Sequence, residues 1–338
     1  MRRVVMLAIT AAWVLSVSPM APTAAAAMPR DRTQRLAGHH RPERWETLAP
    51  APTPRTEAGG AAVGNEIYLV GGFVPGGATV PLVEIYDIES DTWRVGPPLP
   101  IPVNHPLVAS TGDELFVFGG YLGPAYGGAL QPLSNPTDRA FVLRDGRWQP
   151  IAPLPSPRAA GGAAVAGDEI FLVGGMDADS LATETLVYDV EDDSWSTARS
   201  LRYPRQHLGV ASHDERVYAI GGRVDLLTSN MGFSEVYDPS ARRWRRLPLL
   251  GVARGGLGAA ATRSGLVVAI GGEFQSGVFE QASALDVRTN KWRDLPPLPT
   301  PRHGLAVVSV GDRVYAIAGG TQPGYSYSTA NEVIDLGA

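Results

Sequence analysis

The chain has 338 residues, with 29 Lys and Arg against 34 Asp and Glu for a formal net charge of −5. It has no basic run long enough to follow a phosphate backbone, which excludes nucleic acid as an expected partner. It has no cysteine, so disulfides, thiolate zinc sites, thiol nucleophiles and a lipid-bearing cysteine are excluded, and packing must hold the fold together. The 39 Gly, 29 Pro and a charged fraction of 19% point to many turns and buried strands.

Read from the start, the chain opens like a secretory signal. Arg2 and Arg3 form a basic head, residues 4–17 an apolar core, and residues 24–27 a run of alanines suited to cleavage. Fourteen apolar residues fall short of the roughly twenty that span a bilayer, so residues 1–27 are expected to be removed and the mature chain to be secreted, not membrane-spanning. The Arg2-Arg3 pair leaves the export route open between the general and the twin-arginine pathways. Residues 28–43 are polar and without apolar periodicity, a flexible leader. The remaining residues, 44–338, form the expected folded domain.

That domain is periodic. Gly-Gly doublets occur at Gly71-Gly72, Gly119-Gly120, Gly174-Gly175, Gly221-Gly222, Gly271-Gly272 and Gly319-Gly320, at intervals of 48, 55, 47, 50 and 48 residues. Trp45, Trp93, Trp148, Trp195, Trp244 and Trp292 keep the same rhythm, so two independent markers give six units. Each doublet closes a short β-branched and aromatic strand, as at residues 66–70 and 216–220, preceded through a small-residue turn by another strand. A variable loop follows, then a third strand ending in Tyr-Asp (Tyr86-Asp87, Tyr188-Asp189, Tyr237-Asp238) and a fourth beginning at the tryptophan. Four antiparallel strands per unit make a propeller blade.

This order of Arg, apolar strand, Gly-Gly, Tyr-Asp and Trp resembles the kelch repeat over residues 44–338. Blade 2 departs with Val142-Leu143 in place of Tyr-Asp, and blades 5 and 6 have Leu285 and Ile334 in place of the tyrosine. The resemblance implies an all-β, six-bladed kelch propeller with four-stranded blades. Its phase predicts how the ring closes: the domain starts with a lone fourth strand at residues 44–48 and ends after a third strand at 332–336, so the two complete one blade from both ends.

In such a blade the start of the innermost strand and the loop after the doublet share one face, the upper face. Arg55, Arg158, Arg205, Arg254 and Arg302 occupy equivalent positions entering that strand, with Val103 in blade 2. Two readings stay open for them: an anion-binding ring at the mouth, or braces that bond loop carbonyls and acidic side chains. Two residues on, the strand alternation predicts that Glu57, His105 and His207 return to the same side, one step below. Phe73, Tyr121, Tyr126, Phe233, Phe274, Tyr325 and Tyr327 lie in loops of the same face, the longest being residues 121–139. Glu57, His105 and His207 are acid, base or metal-ligand types, but they lack a local pattern such as H-x-x-x-H, so no metal and no cofactor are expected.

The kelch resemblance implies a recognition scaffold, a monomer binding a protein partner or an acidic glycan through its upper-face loops. The alternative is a sugar-processing enzyme resembling the secreted N-acetylneuraminate epimerases (mutarotases), with the arginines holding a carboxylate and Glu57, His105 or His207 moving a proton. A copper radical oxidase resembling galactose oxidase is disfavoured, because its thioether-linked tyrosine needs a cysteine.

Overall fold

The computed structural model describes residues 43–123, 135–178 and 180–337. The expected signal at 1–27, most of the leader at 28–43 and Tyr126 lie outside the described residues. Glu43, the leader's last residue, is described, and its carboxylate bonds Arg293 with both oxygens at 2.8 and 2.6 Å.

Six four-stranded antiparallel sheets form the propeller. Blade 1 runs from the axis outwards as Gly59–Val63, Glu66–Val70, Val83–Asp87 and Thr92–Val95. Blades 2 to 5 repeat that order, with innermost strands Leu107–Thr111, Gly162–Ala166, Gly209–His213 and Gly258–Ala261. Blade 6 takes Ala306–Val310, Arg313–Ile317 and Asn331–Asp335 from the end of the chain and Trp45–Thr47 from its beginning. The pairing Trp45 with Ile334 and Thr47 with Glu332 closes the ring as expected. No described residue is in an α-helix, and no described helix is long and apolar enough to cross a membrane.

Blade-on-blade packing explains the composition of the strands. A blade's second strand is covered on both faces by its neighbours, so it reads as a nearly continuous apolar run, as in Arg216–Ile220, where all but the first residue are buried. One such layer joins Phe116, Phe118 and Val142 of blade 2 to Ile170, Leu186 and Tyr188 of blade 3. The outermost strands, with a face in water, alternate and are mostly exposed.

The six tryptophans tie neighbours together at the rim. Each indole N–H donates to a carbonyl of the preceding blade's exit: Trp93 to Ala49 at 2.9 Å, Trp148 to Pro97 at 2.9 Å, Trp195 to Ala152 at 3.0 Å, Trp244 to Arg199 at 2.7 Å and Trp292 to Pro248 at 3.1 Å. Trp45, at the opposite end of the chain, completes the set with Pro296 at 2.9 Å. The rings are partly exposed rather than buried between blades, because the fourth strand lies at the edge. Trp195 packs on Tyr188 of its own blade, with centroids 5.0 Å apart, and on Phe118 of the previous one at 5.6 Å. Trp195→Ala is therefore expected to lower stability by about 2–4 kcal/mol, somewhat under the cost of truncating a fully buried aromatic. Denaturant titration checks it, and a loss under about 1 kcal/mol would show that the rim contact carries no weight.

The glycine doublets make the matching link near the axis. The second glycine's N–H reaches a carbonyl of the next blade, as from Gly120 to Arg158 at 2.8 Å and from Gly222 to Arg254 at 2.7 Å. A Cβ on Gly119 would lie 2.0 Å from that Arg158 oxygen, so the approach requires glycine. Blade 6 corrects the sequence alignment by one residue. Ala318 and Gly319 take the doublet conformation, with φ of 55° and 103°, and Gly319 donates to Arg55 at 2.8 Å across the closure. Gly320 instead occupies the place that Phe73 has in blade 1, bridging His303 as Phe73 bridges Thr56.

Candidate functional site

The five arginines are where the repeat puts them, yet they do not line a mouth. Their exposure is 0–1%. Arg205 donates to the carbonyls of Tyr203, Ala219 and Gly221 and to Glu235 at 2.6 Å, all within blade 4. Arg302 repeats the pattern with Thr300, Ala316, Ala318 and Glu332, the last at 2.5 Å, and Arg55 pairs with Glu84 at 2.7 Å. Arg158 bonds the carbonyls of Gly174 and Glu184, and Arg254 those of Gln281 and Ala269. Of the two readings of this ring, the structure has the bracing one. Burial lowers the pKa of each of these guanidinium groups, and where a buried Glu faces it, as with Arg55, Arg205 and Arg302, that carboxylate raises it again.

The two-residue step to Glu57, His105 and His207 also differs from simple strand alternation. These residues are left-handed, with φ of 53°, 52° and 51°, and so are their counterparts Ala160, Gly256 and Gly304 at 54°, 71° and 55°. The turn lets each N–H donate to the carbonyl of the preceding blade's residue. The bonds run from Glu57 to Gly304, His105 to Glu57, Ala160 to His105, His207 to Ala160, Gly256 to His207 and Gly304 to Gly256, at 2.7–3.2 Å. They close a circle around the axis. The same turn swings the arginine into its blade and sends the side chain two residues later to the centre.

Because the ring carries only glycine in blades 5 and 6, its centre has room. A Cβ on Gly304 would meet Glu57 Oε1 at 2.5 Å, and into this space come groups from a second tier. Glu57 Oε2 is 3.1 Å from His105 Nε2, which is 3.1 Å from His207 Nε2. On the other side His303 Nε2 lies 3.7 Å from Glu57 and 3.4 Å from Glu273, whose second oxygen accepts from Arg223 at 2.8 Å. Phe73 and Tyr121 close edge-on over His105, at centroid distances of 5.9 and 5.5 Å, and Tyr325 packs on Phe73. Of the other expected loop aromatics, Phe233 stacks on Tyr203 at 4.0 Å and Phe274 packs on Phe279.

Burial makes these groups poor at holding charge. It pushes Glu57 up to about 8, helped by the nearby Glu273 charge and opposed by Arg223. It pushes His105 down to about 3 and His207 well below its usual value, with Arg223 acting in the same direction. His303 is lowered by burial too, against the pull of Glu273. At neutral pH the Glu57, His105 and His207 group is therefore uncharged, while Arg223 and Glu273 form a buried pair.

Below the cluster runs an axial cavity of about 340 Å³, lined by the small residues of all six innermost strands, among them Gly60, Ala109, Ala164, Ala211, Ala260 and Ser309. It shares Val165, Ser212, Ala261 and Ser309 with a hollow at the hairpin end, so the channel leads from the lower face up to the His and Glu side chains. Sequence reasoning finds Glu57, His105 and His207 but misses Arg223, Glu273 and His303. The first two follow a Gly-Gly doublet directly and His303 follows a brace arginine, so a charged residue at these repeat positions is the signal that could reveal them.

Comparison with known proteins agrees with the repeat. Residues 105–320 match the KLHDC2/KLHL20/DRC7 Kelch-repeats domain and residues 54–100 match the Kelch motif. The chain belongs to the kelch-repeat family. Among curated proteins, Kelch-like protein terF of Aspergillus terreus is 29% identical over 302 residues, covering 81% of this chain and 64% of that protein. Kelch-like protein 40 of Xenopus laevis is 30% identical over 182 residues, 53% of this kelch chain and 29% of that protein. Beta-scruin of Limulus polyphemus is 26% identical over 184 residues. The kelch chain thus spans less than two thirds of the length of the curated relatives it matches.

Proposed function

We propose that this kelch propeller is exported and acts outside the cytoplasm as a recognition scaffold that binds a protein partner on its upper face. One patch on blade 4 carries the reading. Val224, Leu226, Leu249 and Val252 are 37%, 68%, 52% and 40% exposed, and they come from two segments joined by Leu250 N–H to Gly232 and Arg254 N–H to Met231. Single exposed apolar residues are ordinary, but four of the six large apolar side chains exposed among the described residues fall in these two connections of blade 4. Beside them the Tyr203–Phe233 stack carries Arg246 over its face at 5.3 Å, and aromatic and arginine groups among apolar ones are what protein interfaces concentrate. An acidic glycan, by contrast, would find the brace arginines already bonded and buried.

A photo-crosslinking amino acid at Leu226 or Leu249, with the chain expressed in its own host, is expected to give a discrete protein adduct. Leu226→Glu with Leu249→Glu should remove it, and a crosslinker at Asp168, on the hairpin face, should not give it. Equal adducts at both faces, or none at blade 4, would refute the scaffold reading. Recovery of the chain only inside the cell, with residues 1–27 still attached, would refute export.

A further inference from the structure

We propose that Glu57, His105 and His207 bind one first-row divalent metal ion of the zinc class at the upper end of the axial channel. This goes beyond the recognition role and rests on residues that the blade 4 patch does not contain. The three side chains bring one carboxylate oxygen and two imidazole nitrogens within 4.8 Å of one another. His105 Nε2 is 3.1 Å from each of its two neighbours. Zinc bonds of about 2.0–2.1 Å set tetrahedral ligand edges of roughly 3.3 Å, so the two edges at His105 are close to those around a small cation, and the third, from Glu57 to His207, is within 4.8 Å.

Hydrogen bonding decides which ring nitrogen is bare. Asn104 Nδ2 donates to the Tyr121 carbonyl at 3.2 Å and to Thr79 Oγ1 at 2.9 Å. A carbonyl only accepts, so the amide orientation is determined and Asn104 Oδ1 faces His105 Nδ1 at 2.7 Å. That nitrogen must then carry the proton, leaving the Nε2 lone pair directed at the cluster. His207 Nδ1 lies 2.7 Å from Gln206 Oε1. An oxygen acceptor behind each imidazole is the arrangement that orients histidine metal ligands. Two Nε2 lone pairs 3.1 Å apart beside the Glu57 carboxyl group call for something electropositive among them. A single proton serves one pair of these atoms, whereas a divalent ion serves all three.

The donors also select the metal. Two imidazoles and one carboxylate suit zinc and its first-row neighbours, while calcium and magnesium demand six or more oxygens. The three residues line the channel, so a fourth position can take water or a small ligand arriving from the lower face. A second convergent trio, Glu57, Glu273 and His303, is less suited. Glu273 already accepts from Arg223 and from the Gly324 N–H at 3.0 Å, and that ion pair also answers the Arg223 charge facing the site. The absence of a short metal motif is no objection, because ligands from three blades are 48 and 102 residues apart.

The test uses the full chain, stripped with chelator and titrated with Co²⁺ and then Zn²⁺. One equivalent of Co²⁺ is expected to give the visible d–d bands of a low-coordinate ion, displaced by Zn²⁺. Zn²⁺ at a hundredfold excess over Kd should raise the melting temperature by about 5 °C, and Mg²⁺ and Ca²⁺ should not. His105→Asn with His207→Asn should abolish the bands. Should that variant lose its near-UV circular dichroism, Glu57→Gln is read instead, with an expected affinity loss of at least tenfold in a folded chain. No uptake by the wild type, bands that persist unchanged in the folded variants, or bands removed by His39→Ala with His40→Ala, the two histidines of the 28–43 leader, would each overturn the proposal.

Discussion

A chain that begins at residue 51 is expected to melt at least 10 °C below one that begins at residue 38. The shorter form lacks the strand Trp45–Thr47, which lies at the edge of blade 6 and pairs with residues 332–334. It also loses the Trp45 indole bond to Pro296 and the Leu48 N–H bond to Asn331. Counting roughly 1 kcal/mol for each net hydrogen bond and about 2–4 kcal/mol for the aromatic contact, the loss exceeds about 5 kcal/mol. At about 2–4 °C for each kcal/mol, that is a shift of 10 °C or more. The effect is larger than that of trimming an ordinary edge strand, because Asn331–Asp335 would be left as an open edge between blades 5 and 1. Scanning calorimetry of the two forms is the measurement. An unchanged midpoint would mean that the terminal strand does not close the ring.

Arg302→Ala is expected to cost about 3–5 kcal/mol, the range for breaking a buried ion pair by removing one partner. Glu332 would remain 2% exposed with no cation, and three carbonyls would lose their donor. The kelch ring itself supplies the control. Blade 2 has Val103 at the arginine position and Phe141 where blades 1, 4 and 6 have Glu84, Glu235 and Glu332. Where the arginine is gone, the acid is gone too. Arg302→Val combined with Glu332→Phe should therefore recover much of the loss, as an apolar pair replacing an ion pair often does. Urea titration of the single and double variants checks this. A single-variant loss under about 1 kcal/mol, or a double variant no better than the single one, would place these arginines outside the bracing role.

The spacing of this pair is itself legible in the sequence. Arg55, Arg205 and Arg302 precede their acids by 29, 30 and 30 residues, a spacing that favours bracing in those blades, whereas Arg158 and Arg254 have Leu186 and Ser283 at the acid's place and brace through carbonyls. Taken one blade at a time the repeat hides it, since each arginine alone suits either role. The phase of blade 6 is hidden for a similar reason. Gly319-Gly320 looks like the other doublets, and only the inter-blade bond from Gly319 to Arg55 shows that Ala318 and Gly319 fill the two places.

By itself the sequence determined the number of blades, the four strands of each, and the closure of the last blade by the first strand. All of these depend on spacing and apolar patterning, which are local and repeated six times, so chance agreement is negligible. Only the tertiary structure decided what the repeated positions do. The left-handed turn at Glu57, His105 and His207 separates groups that strand alternation puts on one side, sending the arginines into the blades while the acid and imidazole groups reach the axial channel. The convergence with Arg223, Glu273 and His303 depends on closing the ring, which brings blades 1, 2, 4, 5 and 6 to one point although their residues lie far apart in the chain.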